Sequence, residues 1–381
     1  MNSHSGGFAV KTVGTRMLIS PPKYVQGAGA MHDLGEHTAL LGTNAVVLAD
    51  RGVWGFVDTA VTDSLAAAGV KLTREVFGGL CTQKEIDRVA AAARAAGADV
   101  IVGIGGGTAI DTAKAVGHAL DDIAVVSAPT VASTDAPTSA LAVIYTEDGA
   151  FERYSFFQRN PNLVLVDTAL VAGAPSRFIV SGMGDALATW YEARVCVAAN
   201  RTAMAGGLAT GASLALARLC WETLMEYGHQ ARISAEQHVV TPALEKVTEA
   251  NTLLSGLGFE SCGLAAAHGI HNGLTVSHKV HGMMHGEKVN IGTLAQLVLE
   301  GAPTEELDTY LEFSRSVGLP TTLAEIGLVD PGREELLAIG RAATAEGETT
   351  HNMPFPVTPE MVADALLAGD AYARATAGKA A

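Results

Sequence analysis

Between residues 44 and 128, short apolar runs rich in β-branched residues alternate with longer alanine-rich amphipathic ones. Runs 44–49, 71–76, 99–104 and 123–128 read as strands, and 57–68, 85–96 and 108–120 as helices. Strands that are apolar almost end to end must be covered on both faces. Strand–helix alternation supplies that cover, so the pattern predicts a parallel sheet flanked by helices. The texture then changes. Runs 141–146, 154–157 and 163–166, separated by turn-forming residues such as Asp148, Gly149, Asn160 and Pro161, read as strands at the margin of that sheet. Beyond Pro175 the strand signal stops, and 186–199, 202–227, 242–257, 264–274, 288–299 and 331–344 are alanine- and leucine-rich helical runs. The expected architecture is an α/β unit over 1–175 followed by an all-α unit over 176–381, with a cleft between them.

Composition narrows the class. A chain of 381 residues is too long for one ordinary core and long enough to need no covalent staples. Its four cysteines, Cys81, Cys196, Cys220 and Cys262, are far apart and form no C-x-x-C pair, which argues against a disulfide framework or a zinc knuckle and for a reducing cytoplasm. The first residues carry no leader-like pattern. The uncharged run 202–217 is too short and too rich in glycine and alanine to span a bilayer. A net charge of −15 disfavours nucleic acid and anionic membranes as partners. A phosphate-bearing cofactor remains compatible, because salt screens the global field within about 10 Å while backbone amides act at contact.

Three stretches carry candidate chemistry. Five of the twelve histidines, His268, His271, His278, His281 and His285, fall within eighteen residues, and imidazole is both the commonest metal ligand and a proton carrier near neutral pH. On one helix His268 and His271 share a face, as do His278, His281 and His285. His268 and His285 would then lie about 25 Å apart along the axis. To reach a common ion the chain must fold back, and Gly273 and Gly282 offer places to turn. Helix capping and the filling of polar gaps is the alternative use of these side chains. The second stretch is a strand that ends in Gly103, Ile104, Gly105, Gly106 and Gly107 and restarts as a helix at Thr108. Such a turn lets backbone amides approach a pyrophosphate at a helix N-terminus, although it departs from G-x-G-x-x-G and could be a tight turn without a ligand. Asp50 ends an earlier strand, where a carboxylate can accept ribose hydroxyls and disfavour a 2′-phosphate. The third stretch, 128–139, sets Thr130, Ser133, Thr134, Asp135, Thr138 and Ser139 among two prolines at the end of a strand, where open α/β sheets bind ligands.

Taken in order, the glycine turn with Asp111 and Lys114, the 129–139 segment, Gly182, Gly184 and Asp185, then His268, and finally His285, Gly286, Glu287 and Lys288 resemble the iron-containing alcohol dehydrogenase superfamily. The likeness runs from about Pro21 to Phe355. It implies metal ligands Asp185, His268 and His285, with Asp135 beside the substrate. It also implies coenzyme contacts from Asp50, Gly105, Gly106, Gly107, Thr108, Asp111, Thr130, Ser133, Ser139, Leu141 and Tyr145. Iron-type members add a histidine four residues after the aspartate, where this chain has Thr189, so the resemblance points to the three-ligand, zinc-dependent, polyol-oxidising branch. Many members of that branch carry Lys-Thr after the glycines, and this chain carries Thr108 and Ala109. Without the resemblance, Asp185 is equally an N-cap for the helix that follows it.

The implied activity is oxidation of a vicinal diol such as glycerol to dihydroxyacetone, with hydride delivered to NAD and zinc acidifying the hydroxyl. A homo-oligomer is expected. The rivals are a lyase resembling dehydroquinate synthase, glycerol-1-phosphate dehydrogenase, and a non-catalytic metal or coenzyme sensor. The first two act on phosphorylated substrates and call for several cations at the cleft, yet residues 255–291 contain only Lys279 and Lys288.

Overall fold

The computed structural model describes residues 14–121 and 123–378; residues 1–13, which include the start without a leader-like pattern, residue 122 and residues 379–381 lie outside the described residues. Among the described residues eight strands are formed: β1 (Tyr24–Gly27), β2 (Asn44–Ala49), β3 (Lys71–Val76), β4 (Val100–Gly105), β5 (Ala124–Pro129), β6 (Leu141–Tyr145), β7 (Phe151–Phe156) and β8 (Leu163–Asp167). Six of them make one parallel sheet in the order β1-β8-β5-β4-β2-β3. Successive residues of β2 and β4 face opposite sides, as the period of a strand requires. Val47 and Val102 join a core under helices α1 (Leu34–Thr38) and α2 (Arg51–Ala67). Val46, Leu48 and Ile101 join another under α3 (Gln83–Ala96) and α4 (Gly107–Ala119).

The margin of the sheet differs from the expectation. β6 and β7 form a separate two-stranded antiparallel sheet. β8 is not marginal: it pairs with β5 on one side and with β1 on the other. All five of its residues are buried, which explains its unbroken Leu-Val-Leu-Val run. The edge falls to β1, a short strand of mixed polarity with no apolar run to mark it.

After Asp167 every regular element among the described residues is helical: α5 (Thr168–Gly173), α6 (Ser176–Ala198), α7 (Gly211–Glu236), α8 (Pro242–Glu249), α9 (Ser255–Cys262), α10 (Ala266–Leu274), α11 (His285–Glu300), α12 (Thr304–Val317), α13 (Arg333–Ala343) and α14 (Pro359–Thr376). The expected helix 202–227 begins nine residues later, at Gly211. Asn200 and Gly206 adopt left-handed backbone in the intervening segment, and Thr210 accepts a hydrogen bond from the Ser213 amide to start the helix. Between α8 and α9 the chain passes through a π turn, Ala250–Leu254. That turn presents buried Asn251, whose side-chain amide donates to Ala132 O and Ile179 O, both at 3.0 Å. The 130–139 loop is thereby tied to α6. No helix of the described residues is long and apolar enough to cross a membrane.

Candidate active site

Asp185 is buried in the middle of α6 instead of capping it. His268 sits in α10, and His285 is the first residue of α11. The chain folds back between them through a short 3-10 turn, His278–Val280. The two imidazole rings end 5.5 Å apart. Both Nε2 atoms point at one oxygen, Asp185 Oδ1, at 3.3 Å for His268 and 3.1 Å for His285. The ligand atoms of the three side chains lie within 4.8 Å of one another, the one such grouping found among the described residues. Tetrahedral zinc with bonds of 2.0–2.2 Å needs its ligands about 3.4 Å apart, so the donor set fits that ion. The His285 side chain is 35 % exposed, against 1 % for Asp185, so access to the cluster is from the His285 side.

The close approach is built from glycine. An added Cβ on Gly184 would meet Gly286 O at 2.4 Å, and one on Gly286 would meet Ser181 O at 1.7 Å. α6 and α11 therefore touch backbone to backbone at the residues next to Asp185 and His285. Glu287 accepts from the Met284 amide at 2.8 Å and fixes the start of α11, while Arg177 holds Glu287 at 2.6 Å.

Charge is concentrated here. Burial opposes ionisation of Asp185, but His285 and His268 outweigh it and hold the carboxyl far below its usual range. Burial, with the Asp185 carboxylate beside it, pushes the Asp135 carboxyl well above its usual range. Asp135 accepts from Ser255 Oγ at 2.6 Å, and its backbone N–H lies 3.3 Å from Asp185 Oδ2. Thr189 shares a hydrogen bond of 2.9 Å with Ser255 Oγ, the hydroxyl that donates to Asp135, and is not part of the ligand grouping.

Sequence reasoning missed one group and left another, on the His268 face, with its role open. Glu192, fully buried on α6, contacts His268 Nδ1 at 2.6 Å. Its only signal was an acidic residue seven positions after Asp185 in an apolar run. His271 had no assigned role, and its ring lies 4.3 Å from that of His285. Burial and the neighbouring His285 hold His271 well below its ordinary pKa. Asn272 beside it contacts Tyr154 Oη and donates to Glu348 Oε2 at 2.9 Å. His278 and His281 meet edge to face, with ring centroids 4.9 Å apart, on the exposed turn and stand outside the grouping.

On the sheet side, β4 runs into the glycine turn at Gly105, whose φ of 149° is a conformation that side chains rarely adopt. α4 starts at Gly107 without a side-chain cap. Gly107 faces Thr134 Oγ1, 3.3 Å from where its Cβ would be. The next residue, Asp135, reaches Asp185, so one loop joins the glycine turn to the histidine cluster. Thr130, Ser133 and Ser139 lie buried along that loop. Asp50 caps α2, its Oδ1 accepting from Val53 N at 2.9 Å. Asp111 forms a buried pair with Lys114 at 2.8 Å and accepts from Val143 N. Lys114 also donates to Ala136 O at 2.8 Å, so this pair braces the loop. Leu141 packs on Phe259 and Leu264, and Tyr145 ends β6.

Residues 21–168 match the model of a family described as iron-containing alcohol dehydrogenase. The chain is 53 % identical to a glycerol dehydrogenase of Escherichia coli O6:H1 over 94 % of its own length and 97 % of the relative's. This protein belongs to the iron-containing alcohol dehydrogenase family. It is an oxidoreductase. It is also 49 % identical to a glycolaldehyde reductase of Halobacterium salinarum, over 94 % of this chain and 98 % of that one. Among solved structures, the glycerol dehydrogenase of Schizosaccharomyces pombe superposes with a TM-score of 0.91 at 44 % identity, covering 95 % of this chain and 92 % of the other. The α/β sheet and helical part described above are thus the architecture of a solved relative.

Proposed function

We propose that the protein oxidises glycerol or a related vicinal diol at its secondary carbon, giving dihydroxyacetone from glycerol, with hydride passed to NAD. The observation that carries this reading is the convergence of Asp185, His268 and His285 on one point, one loop away from the glycine turn. Asp185, His268 and His285 would hold zinc with a position left for substrate. When bound, zinc supplies Lewis acidity towards a hydroxyl and NAD supplies the hydride acceptor.

The chain's own residues do the rest. Asp135 accepts a hydrogen bond from the second hydroxyl and thereby selects which carbon faces the coenzyme. The turn at 105–107 admits the pyrophosphate against the start of α4, with Thr108, Thr130, Ser133, Ser139, Leu141 and Tyr145 alongside. Asp111 acts on the coenzyme through the loop it braces with Lys114. Asp50 disfavours a 2′-phosphate, so NAD is preferred to NADP. In this reading 1–175 binds the coenzyme and 176–381 supplies metal and substrate contacts. A homo-oligomer in a reducing cytoplasm completes it, and the four buried, unpaired thiols are compatible with such a compartment.

The similarity to glycolaldehyde reductase favours a second reading, reduction of a small hydroxyaldehyde by the same site. A phosphorylated substrate has less support, since Lys279 is engaged by Glu335 at 2.9 Å and leaves Lys288 as the remaining cation of 255–291. Steady-state rates read at the NADH absorbance, with glycerol, propane-1,2-diol, glycolaldehyde and glycerol 1-phosphate and with NAD(H) or NADP(H), test the proposal. The expected result is the highest kcat/KM for glycerol with NAD. Preference for glycerol 1-phosphate, or equal use of NADP, would overturn it.

A further inference from the structure

Glu192 is a carboxylate with no exposed surface, which is costly unless every lone pair is used. Its Oε1 accepts from the backbone N–H of Ala265 at 2.7 Å and of His268 at 2.9 Å. Its Oε2 lies 2.6 Å from His268 Nδ1. All three contacts go to the first turn of α10 and its histidine. α10 has no side-chain cap of its own, so a residue of α6 caps it. Seven residues rotate a helix by about 700°, which returns Glu192 to the face of Asp185 about 10 Å further along α6. His268 bridges the two carboxylates, Nδ1 to Glu192 and Nε2 to Asp185.

We propose that Glu192 is a positioning residue that holds His268 in the tautomer able to bind metal. An imidazole that ligates metal through one nitrogen donates the proton of the other to an acceptor, and a carboxylate oxygen is such an acceptor. Because Nδ1 is turned to Glu192 Oε2 at 2.6 Å, Nε2 is the nitrogen directed at the point shared with Asp185 and His285, and a ring that ligates there would keep its proton on Nδ1. One buried side chain therefore sets the register of α10, the ring orientation and the ligand atom.

The inference rests on the metal reading above and is separable from it. Glutamine at this position can keep its oxygen on the two backbone N–H groups and so preserve the cap. Its NH2 then faces Nδ1, donates to it and moves the imidazole proton to Nε2, where it blocks the ligand position. The experiment is zinc titration against a competing chelator on the full-length protein, with NADH binding and Tm as measures of fold. The wild type should bind one zinc and His268→Ala should lose it; failure there refutes the metal site itself. Given that, Glu192→Gln should weaken zinc 10–100-fold with NADH affinity unchanged. Wild-type zinc affinity in folded Glu192→Gln would overturn the inference. Should that variant not fold, Glu192→Asp decides, because the shorter carboxylate cannot reach both the cap and Nδ1: weakened zinc supports the role, and unchanged zinc overturns it.

Discussion

Replacing Gly286 by alanine tests how the cluster is assembled. The added Cβ would lie 1.7 Å from Ser181 O, 2.7 Å from Ser181 C and 2.9 Å from Asp185 N. All three are backbone atoms of α6, so no rotamer relieves the clash. Ordinary contact begins near 3.4 Å, and restoring it needs a separation of about 1.7 Å between α6 and α11. His285 precedes Gly286, and its Nε2 is 3.1 Å from Asp185 Oδ1. A shift of that size carries the pair towards 5 Å, whereas metal–ligand distances tolerate only about 0.2 Å. The variant should lose tightly bound zinc and about 1–3 kcal/mol of stability, the usual range for overpacking. Gly282→Ala is the control, since nothing lies within 4 Å of its Cβ position. Metal analysis after dialysis and denaturant unfolding read the two effects. Full zinc occupancy with unchanged stability in Gly286→Ala would refute the argument that backbone contact sets the ligand geometry.

Three further outcomes follow from buried charge and from the ligand set. Glu260 accepts from Ala140 N and Asn160 Nδ2, both at 2.6 Å, and burial pushes its pKa up to about 7. The folded state therefore holds this proton more tightly than the unfolded chain, and stability should fall by about 3 kcal/mol as pH rises from 4.5 to 7; Glu260→Gln should flatten that part of the profile in urea unfolding, and an identical slope would contradict it. Lys114→Met leaves Asp111 charged and buried, so it should cost about 3–5 kcal/mol, and calorimetry showing a loss below 1 kcal/mol would show that the pair does not brace the loop. Asp185→Asn, His268→Ala and His285→Ala should each lose metal and oxidation of glycerol while keeping NADH binding by fluorescence, whereas His278→Ala and His281→Ala should keep all three; metal loss in His281→Ala would mean the wrong histidines are assigned.

The sheet could be read from sequence where strands were buried on both faces, because β2, β4 and β5 leave near-continuous apolar runs. β1 was invisible, since an edge strand of four half-buried residues has no such run, and the place of β8 depends on a pairing that periodicity does not encode. At the site, helix geometry shows that His268 and His285 can share an ion only if the chain folds back, and the resemblance supplies the expectation that they do share one. The grouping of His278 and His281 with His285 did not survive, because α11 starts only at His285, where Glu287 fixes its first turn. Glu192 and His271 show the limit most clearly. Their roles depend on which neighbouring helix each side chain meets, and a single chain's pattern shows the face of a helix but not what packs against it.

Anomalous diffraction at the zinc edge, from crystals of the wild-type protein grown with zinc, locates the ion itself. One strong peak is expected about 2.0–2.2 Å from Asp185 Oδ1, His268 Nε2 and His285 Nε2, with Thr189 and His271 outside bonding distance. A zinc-edge peak at His278 and His281, or none between Asp185 and the two histidines, would contradict it.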